Sequence, residues 1–190
     1  MIRVLFVCTA NIFRSMSAEL LFRKYLQDIK KDKDIKIASA GTRANSFNKP
    51  YSYTLKRLKE YACDPTKHKA TRVTSSLLAQ SDLIICMANH HKECVDALVP
   101  GKSILFNDLA YHIKKDVLDD DEYAYEHGHD FDLEQFCRDT VTYLHDAMPM
   151  MYQNLHLFLK SDKELLLTPI EVEEEEISDD KMETEKGKNN

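Results

Sequence analysis

The stretch Ile2-Arg-Val-Leu-Phe-Val-Cys-Thr-Ala-Asn-Ile-Phe-Arg-Ser15 decides the fold of this chain. Its first six residues are apolar apart from one arginine and rich in β-branched and aromatic side chains, which is typical of a buried strand in a parallel sheet. A six-residue loop follows Cys8, and from about Ser15 onward apolar residues recur at helical spacing. The chain therefore opens with a strand, a short loop and an amphipathic helix.

The same alternation of short apolar runs and helical patterns continues along the chain. It predicts strands at residues 35–39, 82–87 and 103–106, with helices around 51–61, through Val95 and Leu98, and from 133 to 144. Pro149 is expected to bend the last helix or to start a new segment. Residues 109–130 are polar and acidic without a clear period, which predicts a long loop. The order predicts an α/β fold with three α/β/α layers and a four-stranded parallel sheet, which carries a phosphate loop between its first strand and first helix.

Composition divides the chain into a neutral body and an acidic end. Residues 170–190 carry nine acidic and three basic side chains, a net charge of −6 that equals the formal charge of the whole 190-residue chain. Such a segment, charged and poor in apolar residues, favours disorder. We therefore expect one domain at residues 1–160 and a disordered acidic tail at 161–190.

Charge, hydropathy and cysteine content exclude several classes of protein. A body without basic excess argues against nucleic acid as a partner, and no apolar run approaches the length of a membrane helix. Five cysteines without a C-x-x-C pair suit neither a disulfide framework nor a zinc site. We expect a cytoplasmic, monomeric protein with no metal and no organic cofactor.

The loop after the first strand has the residues for cysteine chemistry on phosphate. Backbone N–H groups between a strand end and a helix N-terminus form an anion site. The positive field there suits the thiolate of Cys8, which is the nucleophilic form. Arg14, six residues later, can bind two phosphate oxygens in a bidentate manner. This spacing predicts a site for phosphoryl transfer with Cys8 and Arg14 as the catalytic pair.

The segment from Val4 to Ser15, together with Ala18-Glu19, resembles the signature of the low-molecular-weight protein-tyrosine phosphatases. Three later segments, Ser39-Ala-Gly-Thr42, His68 with Arg72-Val-Thr74, and Ser81 to Met87, are similar to family segments in the same order. The resemblance covers residues 1–157. It implies hydrolysis of phosphotyrosine in a protein, or of a small aryl phosphate, through a phosphocysteine on Cys8.

The resemblance also implies roles for residues around the loop. Phosphate would be bound by Thr9, Ala10, Asn11, Ile12, Phe13, Arg14 and Ser15. Ser39 and His68, with Asn11 and Ser15, would support the loop through hydrogen bonds. Five other histidines lack partners at ligand spacing and are expected to be solvated: His90, His91, His112, His127 and His129.

A carboxylic acid must protonate the leaving phenolate, and the family places an Asp-Pro in the late loop for this step. No Asp-Pro occurs in Lys115 to Tyr123. Alignment by loop position favours Asp119, with Asp120 where the proline would stand, while Asp116, Asp120 and Asp121 stay open as alternatives. Tyr123 or Tyr125 is expected to form a wall of the cleft.

Three departures from the family pattern bear on activity. Ala10 stands where glycine is usual, so a positive φ there would be strained. Phe13 replaces a second cysteine, and Met16 a proline. With the missing Asp-Pro, these changes keep a weak phosphotyrosine-binding pseudophosphatase as an alternative. Ile12 indicates aryl phosphate, because threonine at that position goes with phosphoarginine in the family.

An arsenate reductase of the same fold is a further alternative. Such an enzyme relays oxidation through two additional cysteines, for which Cys86 and Cys94 would be the candidates. A buried apolar cysteine in a strand is the more ordinary explanation of Cys86.

Overall fold

The computed structural model describes residues 1–128 and 131–159, and a four-stranded parallel sheet lies at its centre. The strands are β1 (Ile2–Cys8), β2 (Ile35–Gly41), β3 (Leu83–Cys86) and β4 (Ser103–Leu105), in the spatial order β2-β1-β3-β4. The first strand is central because its residues pair with β2 on one side and β3 on the other. The predicted sheet is confirmed.

Eight α-helices follow or connect these strands in the described residues. They are α1 (Arg14–Asp28), α2 (Ser52–Glu60), α3 (Ser75–Gln80), α4 (Asn89–Asp96), α5 (Phe106–Tyr111), α6 (Asp120–His127), α7 (Leu133–Asp146) and α8 (Met148–Asn154), with a 3₁₀ helix at Leu155–Phe158. Pro149 lies at the start of α8, where proline is favoured, so it begins a new helix as the sequence predicted.

Alternate side chains of β1 enter two different cores, as expected for a strand covered on both faces. Val4 and Phe6 pack with buried residues of α1, α7 and α8, whereas Leu5 and Val7 pack with those of α3 and α4. The sheet therefore forms the middle of three layers, and the carboxyl end of β1 is fixed from both sides.

The prediction of a long loop at residues 109–130 is wrong. The structure has α5 ending at Tyr111 and α6 at Asp120–His127, separated by an extended segment. Helix α6 was not predicted because its sequence lacks apolar periodicity. Asp119 and Glu122 nevertheless form a capping box at its N-terminus. This pattern of Asp followed three residues later by Glu is readable in the sequence.

The structure also differs from the sequence prediction at helix α3, and part of the prediction falls on residues that the structure does not describe. Helix α3 was missed, although Thr74 caps it by accepting a hydrogen bond from the Leu77 N–H. The predicted tail at 161–190, the domain end at 160 and His129 lie outside the described residues. Within the described part of the chain, every helix is too short or too polar to cross a lipid bilayer.

Candidate active site

The loop between β1 and α1 closes around a small pocket at the carboxyl edge of the sheet. The pocket has a volume of about 100 Å³. It is lined by Cys8, Thr9, Ala10, Ile12, Phe13, Arg14, Tyr51, Asp119 and Asp120. Most residues of the predicted phosphate loop therefore face one cavity, together with the predicted general acid.

Cys8 ends β1, and its sulfur receives polar contacts from the loop that follows. The backbone N–H of Asn11 donates to Cys8 Sγ at 3.3 Å, and Ser15 Oγ lies 2.9 Å from the same sulfur. When the sulfur is a thiolate, the Ser15 hydroxyl must be the donor in that pair. Both contacts therefore favour a negatively charged sulfur in a thiol that is only 3% exposed.

Asn11 is the residue that holds the loop in its turn. Its φ of 57° lies in the left-handed region, which asparagine enters more readily than most residues. Its side chain donates to Ser15 Oγ at 2.9 Å and to Ser39 Oγ at 2.8 Å, and accepts from the Thr71 N–H at 2.8 Å. The positive φ therefore falls on Asn11, and Ala10 is not among the positive-φ residues.

Two further groups support the loop from outside. His68 Nε2 lies 2.7 Å from the Asn11 carbonyl oxygen, and Ser39 Oγ donates to Glu19 Oε2 at 2.5 Å. The structure thus brings Ser39 and His68 to the loop, where the family resemblance implied they would be. Glu19 is a support that the residue-by-residue reasoning missed, although it belongs to the quoted Ala18-Glu19 pair.

Gly41, at the end of β2, permits the close approach of the loop. A Cβ atom at Gly41 would lie 2.5 Å from the Thr9 carbonyl oxygen and 2.9 Å from the Asn11 nitrogen. Backbone atoms cannot move aside as a flexible side chain can. A larger residue here would therefore push the loop away from β2.

Arg14 is almost fully buried, and its guanidinium group contacts the opposite wall of the pocket. Nη1 donates to the Val117 carbonyl oxygen at 2.8 Å, and Nη2 donates to Thr9 Oγ1 at 3.3 Å. Nη2 also forms an ion pair with the Asp119 carboxylate. Arg14 therefore connects the loop to the acid segment.

The four aspartates considered as general acid occupy different places. Asp119 and Asp120 line the pocket. Asp116 accepts a hydrogen bond from the Asn89 N–H at the start of α4, and Asp121 is exposed within the first turn of α6. Only the first two have carboxylates at the pocket, and of these Asp119 contacts Arg14.

The environment of Asp119 suits a group that carries a proton near neutral pH. Burial raises the pKa of Asp119 to about 6, with a smaller rise from neighbouring Asp120, and the two outweigh the lowering effect of Arg14. Asp119 also caps α6, since its Oδ1 accepts from the Asp120 N–H at 3.3 Å, while the Glu122 side chain accepts from the Asp119 N–H at 2.8 Å. The cap fixes the direction of the carboxyl group.

The aromatic wall of the pocket comes from a residue that the sequence analysis did not select. Tyr51 lines the pocket, donates to Asp120 Oδ2 at 2.7 Å and packs edge-to-face on Phe13. Burial and the hydrogen bond to Asp120 raise the pKa of the Tyr51 hydroxyl, so it remains a donor. Tyr123 instead borders a neighbouring cavity, and Tyr125 is 91% exposed, so the expectation that either one forms the wall is wrong.

His91 also contradicts the sequence analysis. It was expected to be solvated, but it is 0% exposed, and its Nε2 lies 2.9 Å from Thr9 Oγ1. His90, His112 and His127 are exposed as predicted. Helical position explains the difference, because in α4 the side chain of His91 turns inward beside buried Val95, four residues later.

Asp119, Asp120 and Asp121 are the one cluster of potential metal ligands within the described residues, with ligand atoms within 4.8 Å of one another. Arg14 and Tyr51 already engage the first two carboxylates. Protein donors therefore already bind two of the three carboxylates, and the absence of a metal stays a prediction.

Comparison with known proteins gives consistent matches in sequence and in structure. A family model described as low molecular weight phosphotyrosine protein phosphatase matches residues 3–155. The enzyme of that name from Gallus gallus is 31% identical over 130 residues, which cover 60% of this chain and 82% of the relative. A protein-arginine-phosphatase from Bacillus subtilis is 28% identical over 92 residues, which cover 48% of this chain and 59% of the relative.

A crystal structure of a low molecular weight protein tyrosine phosphatase from T. tengcongensis superposes with a TM-score of 0.68. It is 27% identical in sequence, and the match covers 80% of this chain and 99% of that protein. The fold is therefore shared with a solved phosphatase of that name.

Proposed function

The chain belongs to the low molecular weight phosphotyrosine protein phosphatase family, a family of hydrolases, and from that premise we propose that it hydrolyses phosphotyrosine through a phosphocysteine on Cys8. One observation carries the proposal. A single pocket contains the sulfur of Cys8, the guanidinium of Arg14 and the raised-pKa carboxyl of Asp119. Nucleophile, phosphate ligand and proton donor are the three groups that the reaction needs.

In the first step, the Cys8 thiolate attacks phosphorus while the bond from phosphorus to the tyrosine oxygen breaks. Protonated Asp119 gives its proton to the departing oxygen, so neutral tyrosine leaves. Arg14 and the loop N–H groups stabilise the charge on the remaining phosphoryl oxygens.

In the second step, water attacks the phosphocysteine and the bond from phosphorus to sulfur breaks. The Asp119 carboxylate accepts the proton of the attacking water, and inorganic phosphate leaves. Ser15 and the Asn11 N–H, both in contact with Cys8 Sγ, stabilise the thiolate that is released.

Arg14 has to exchange partners during this cycle. Its Nη2 is paired with Asp119, and a phosphoryl group bound in the pocket would compete for the same donors. We propose that substrate binding shifts Arg14 onto phosphate and frees the Asp119 carboxyl to face the leaving oxygen.

The test is steady-state hydrolysis of p-nitrophenyl phosphate by the wild type and by Cys8→Ser, with EDTA present. We expect turnover in the wild type and its loss in Cys8→Ser, with inorganic phosphate still bound by both. Turnover that survives in Cys8→Ser, or that disappears with EDTA in the wild type, would contradict the mechanism.

Ile12 lines the pocket and supports an aryl phosphate as substrate. Because relatives include a protein-arginine-phosphatase, matched peptides carrying phosphotyrosine or phosphoarginine give the sharper measurement. We expect preference for the phosphotyrosine peptide, reduced in Ile12→Thr. If the wild type preferred the phosphoarginine peptide, the substrate would be assigned as phosphoarginine, and the Cys8 mechanism would still stand.

Two alternatives from the sequence find little support. The pseudophosphatase rested partly on strain at Ala10, but the left-handed residue is Asn11. The arsenate reductase needs a relay cysteine, but Cys86 is fully buried in β3, and burial raises the pKa of its thiol to about 12. We also propose a cytoplasmic, monomeric enzyme acting on proteins or small aryl phosphates. The five free cysteines support the cytoplasmic location.

A further inference from the structure

The imidazole of His91 lies behind the pocket and contacts its lining through one hydrogen bond. His91 Nε2 is 2.9 Å from Thr9 Oγ1, and Arg14 Nη2 donates to the same oxygen at 3.3 Å. Thr9 lines the pocket, whereas His91 does not and is 0% exposed. The hydrogen-bonded contact of His91 with the pocket therefore runs through Thr9.

Burial fixes the charge of His91. Desolvation, together with the smaller effects of the nearby charges of Arg14 and His90, lowers the pKa of its ring to about 3. A neutral imidazole carries one proton, on either Nδ1 or Nε2. Across the neutral range, His91 is thus one of two tautomers.

The surroundings of Nδ1 select between the tautomers. Nδ1 is buried and has no hydrogen-bond partner. Buried N–H donors without a partner are rarer than acceptors left unpaired. The proton therefore belongs on Nε2, from which it is donated to Thr9 Oγ1.

This assignment determines what the Thr9 hydroxyl does. A hydroxyl group has one donor and two acceptor sites. Arg14 and His91 fill both acceptor sites, so the hydroxyl proton is left to point into the pocket. We propose that Thr9 donates this hydrogen bond to the phosphoryl group and that His91 is the positioning residue that aims it.

The proposal rests on the proposed function for the identity of the anion, but inorganic phosphate can probe it without turnover. The variants Thr9→Val and His91→Phe remove the hydroxyl and the imidazole donor with little change of shape. We expect Thr9→Val to weaken phosphate binding about tenfold and His91→Phe about threefold, the scale of one hydrogen bond to an anion. Thr9→Ser and His91→Gln, which keep a hydroxyl and an N–H donor, should remain within about twofold of wild type.

The double variant separates positioning from a merely structural role. If His91 acts through Thr9, His91→Phe should change phosphate affinity less than about twofold in the Thr9→Val background. Additive losses in the double variant would overturn the proposal. Phosphate affinity is measured by calorimetry, and thermal unfolding of each variant records any loss of stability separately.

Nuclear magnetic resonance of ¹⁵N-histidine-labelled wild type gives a second readout that needs no variant. We expect the His91 ring to show an Nε2–H tautomer that does not titrate from pH 5 to 8. An Nδ1–H tautomer would overturn the proposal even if His91→Phe failed to fold.

Failure of this proposal is distinguishable from failure of the proposed function. If turnover depends on Cys8 but the losses of phosphate affinity in Thr9→Val and His91→Phe are additive, only the positioning role of His91 is rejected. If turnover does not depend on Cys8 but those losses are non-additive, the proposed mechanism is rejected and the positioning role of His91 stands.

Discussion

The phosphate loop and the acid segment face each other across one pocket but are held in different ways. The loop from Cys8 to Ser15 is fixed by a buried hydrogen bond to Ser39, by a half-buried one to Thr71 and by contact with Gly41. The acid segment from Asp116 to Glu122 is largely half-buried, and Arg14, which belongs to the site itself, is among its main anchors. The fold thus fixes Cys8 through residues outside the site, whereas Asp119, the proposed acid, is held by its helix cap and by Arg14 of the site itself.

The largest effect should come from removing the acid. Asp119→Asn keeps the shape of the side chain but cannot donate the proton, so kcat for a phosphotyrosine peptide should fall about 10²- to 10⁴-fold. Asp121→Asn, one helical position away from the pocket lining, is the matched control and should stay near wild type. If kcat fell more in Asp121→Asn than in Asp119→Asn, the general acid would have to be assigned to another residue of the segment.

The pH profile tests the same carboxyl without changing its partners. Asp119 must be protonated to act as an acid, so kcat/KM for phenyl phosphate should fall above about pH 6, approaching tenfold per pH unit. Asp119→Asn should lack this descending limb and keep the ascending limb that reports ionisation of the substrate phosphate. An unchanged descending limb in the variant would assign it to another group.

The loop side can be tested by stability rather than rate. Asn11→Ala removes two buried side-chain hydrogen bonds and one half-buried one, and it places alanine at a φ of 57°. We expect the free energy of unfolding to drop by about 2 to 4 kcal/mol, measured by denaturant titration. Asn45→Ala, in the exposed turn before α2, is the control and should cost less than about 1 kcal/mol.

The smallest effect should come from the helix cap on the acid side. Glu122→Ala breaks the capping box of α6 and should reduce the local stability of the segment by about 0.5 to 2 kcal/mol. Hydrogen exchange of the α6 amides should record the loss, and kcat should change only a few-fold. Glu122→Gln preserves the capping pattern and should restore protection; if it does not, the charge of Glu122 rather than its hydrogen bond holds the segment.

The sequence predicted the loop side well because local pattern and distant contacts agree there. A buried strand, a cysteine and an arginine at fixed spacing leave few ways to arrange residues 8–15, and the structure places Ser39 and His68 beside them. The acid side was predicted less well. Helix α6 has no apolar face to reveal it, and Tyr51 reaches Asp120 across 69 positions of sequence.

His91 shows why burial is hard to predict from a short polar run. Its neighbours His90 and Lys92 are polar, so the run Asn89-His-His-Lys-Glu93 is typical of a solvated helix. Only the packing of α4 against the sheet decides which of two adjacent histidines turns inward. That choice depends on helix rotation, which local composition does not encode.

The close approach at Gly41 has a consequence for how activity emerges as the chain folds. The loop touches residues about 30 and 60 positions away, and these reach it only after β2 has paired in parallel with β1. Parallel pairing across a long connection closes a large loop in the chain and is slow. Catalytic competence during refolding should therefore return with the last parallel contacts and lag behind helix formation, so recovered turnover reports completion of the sheet.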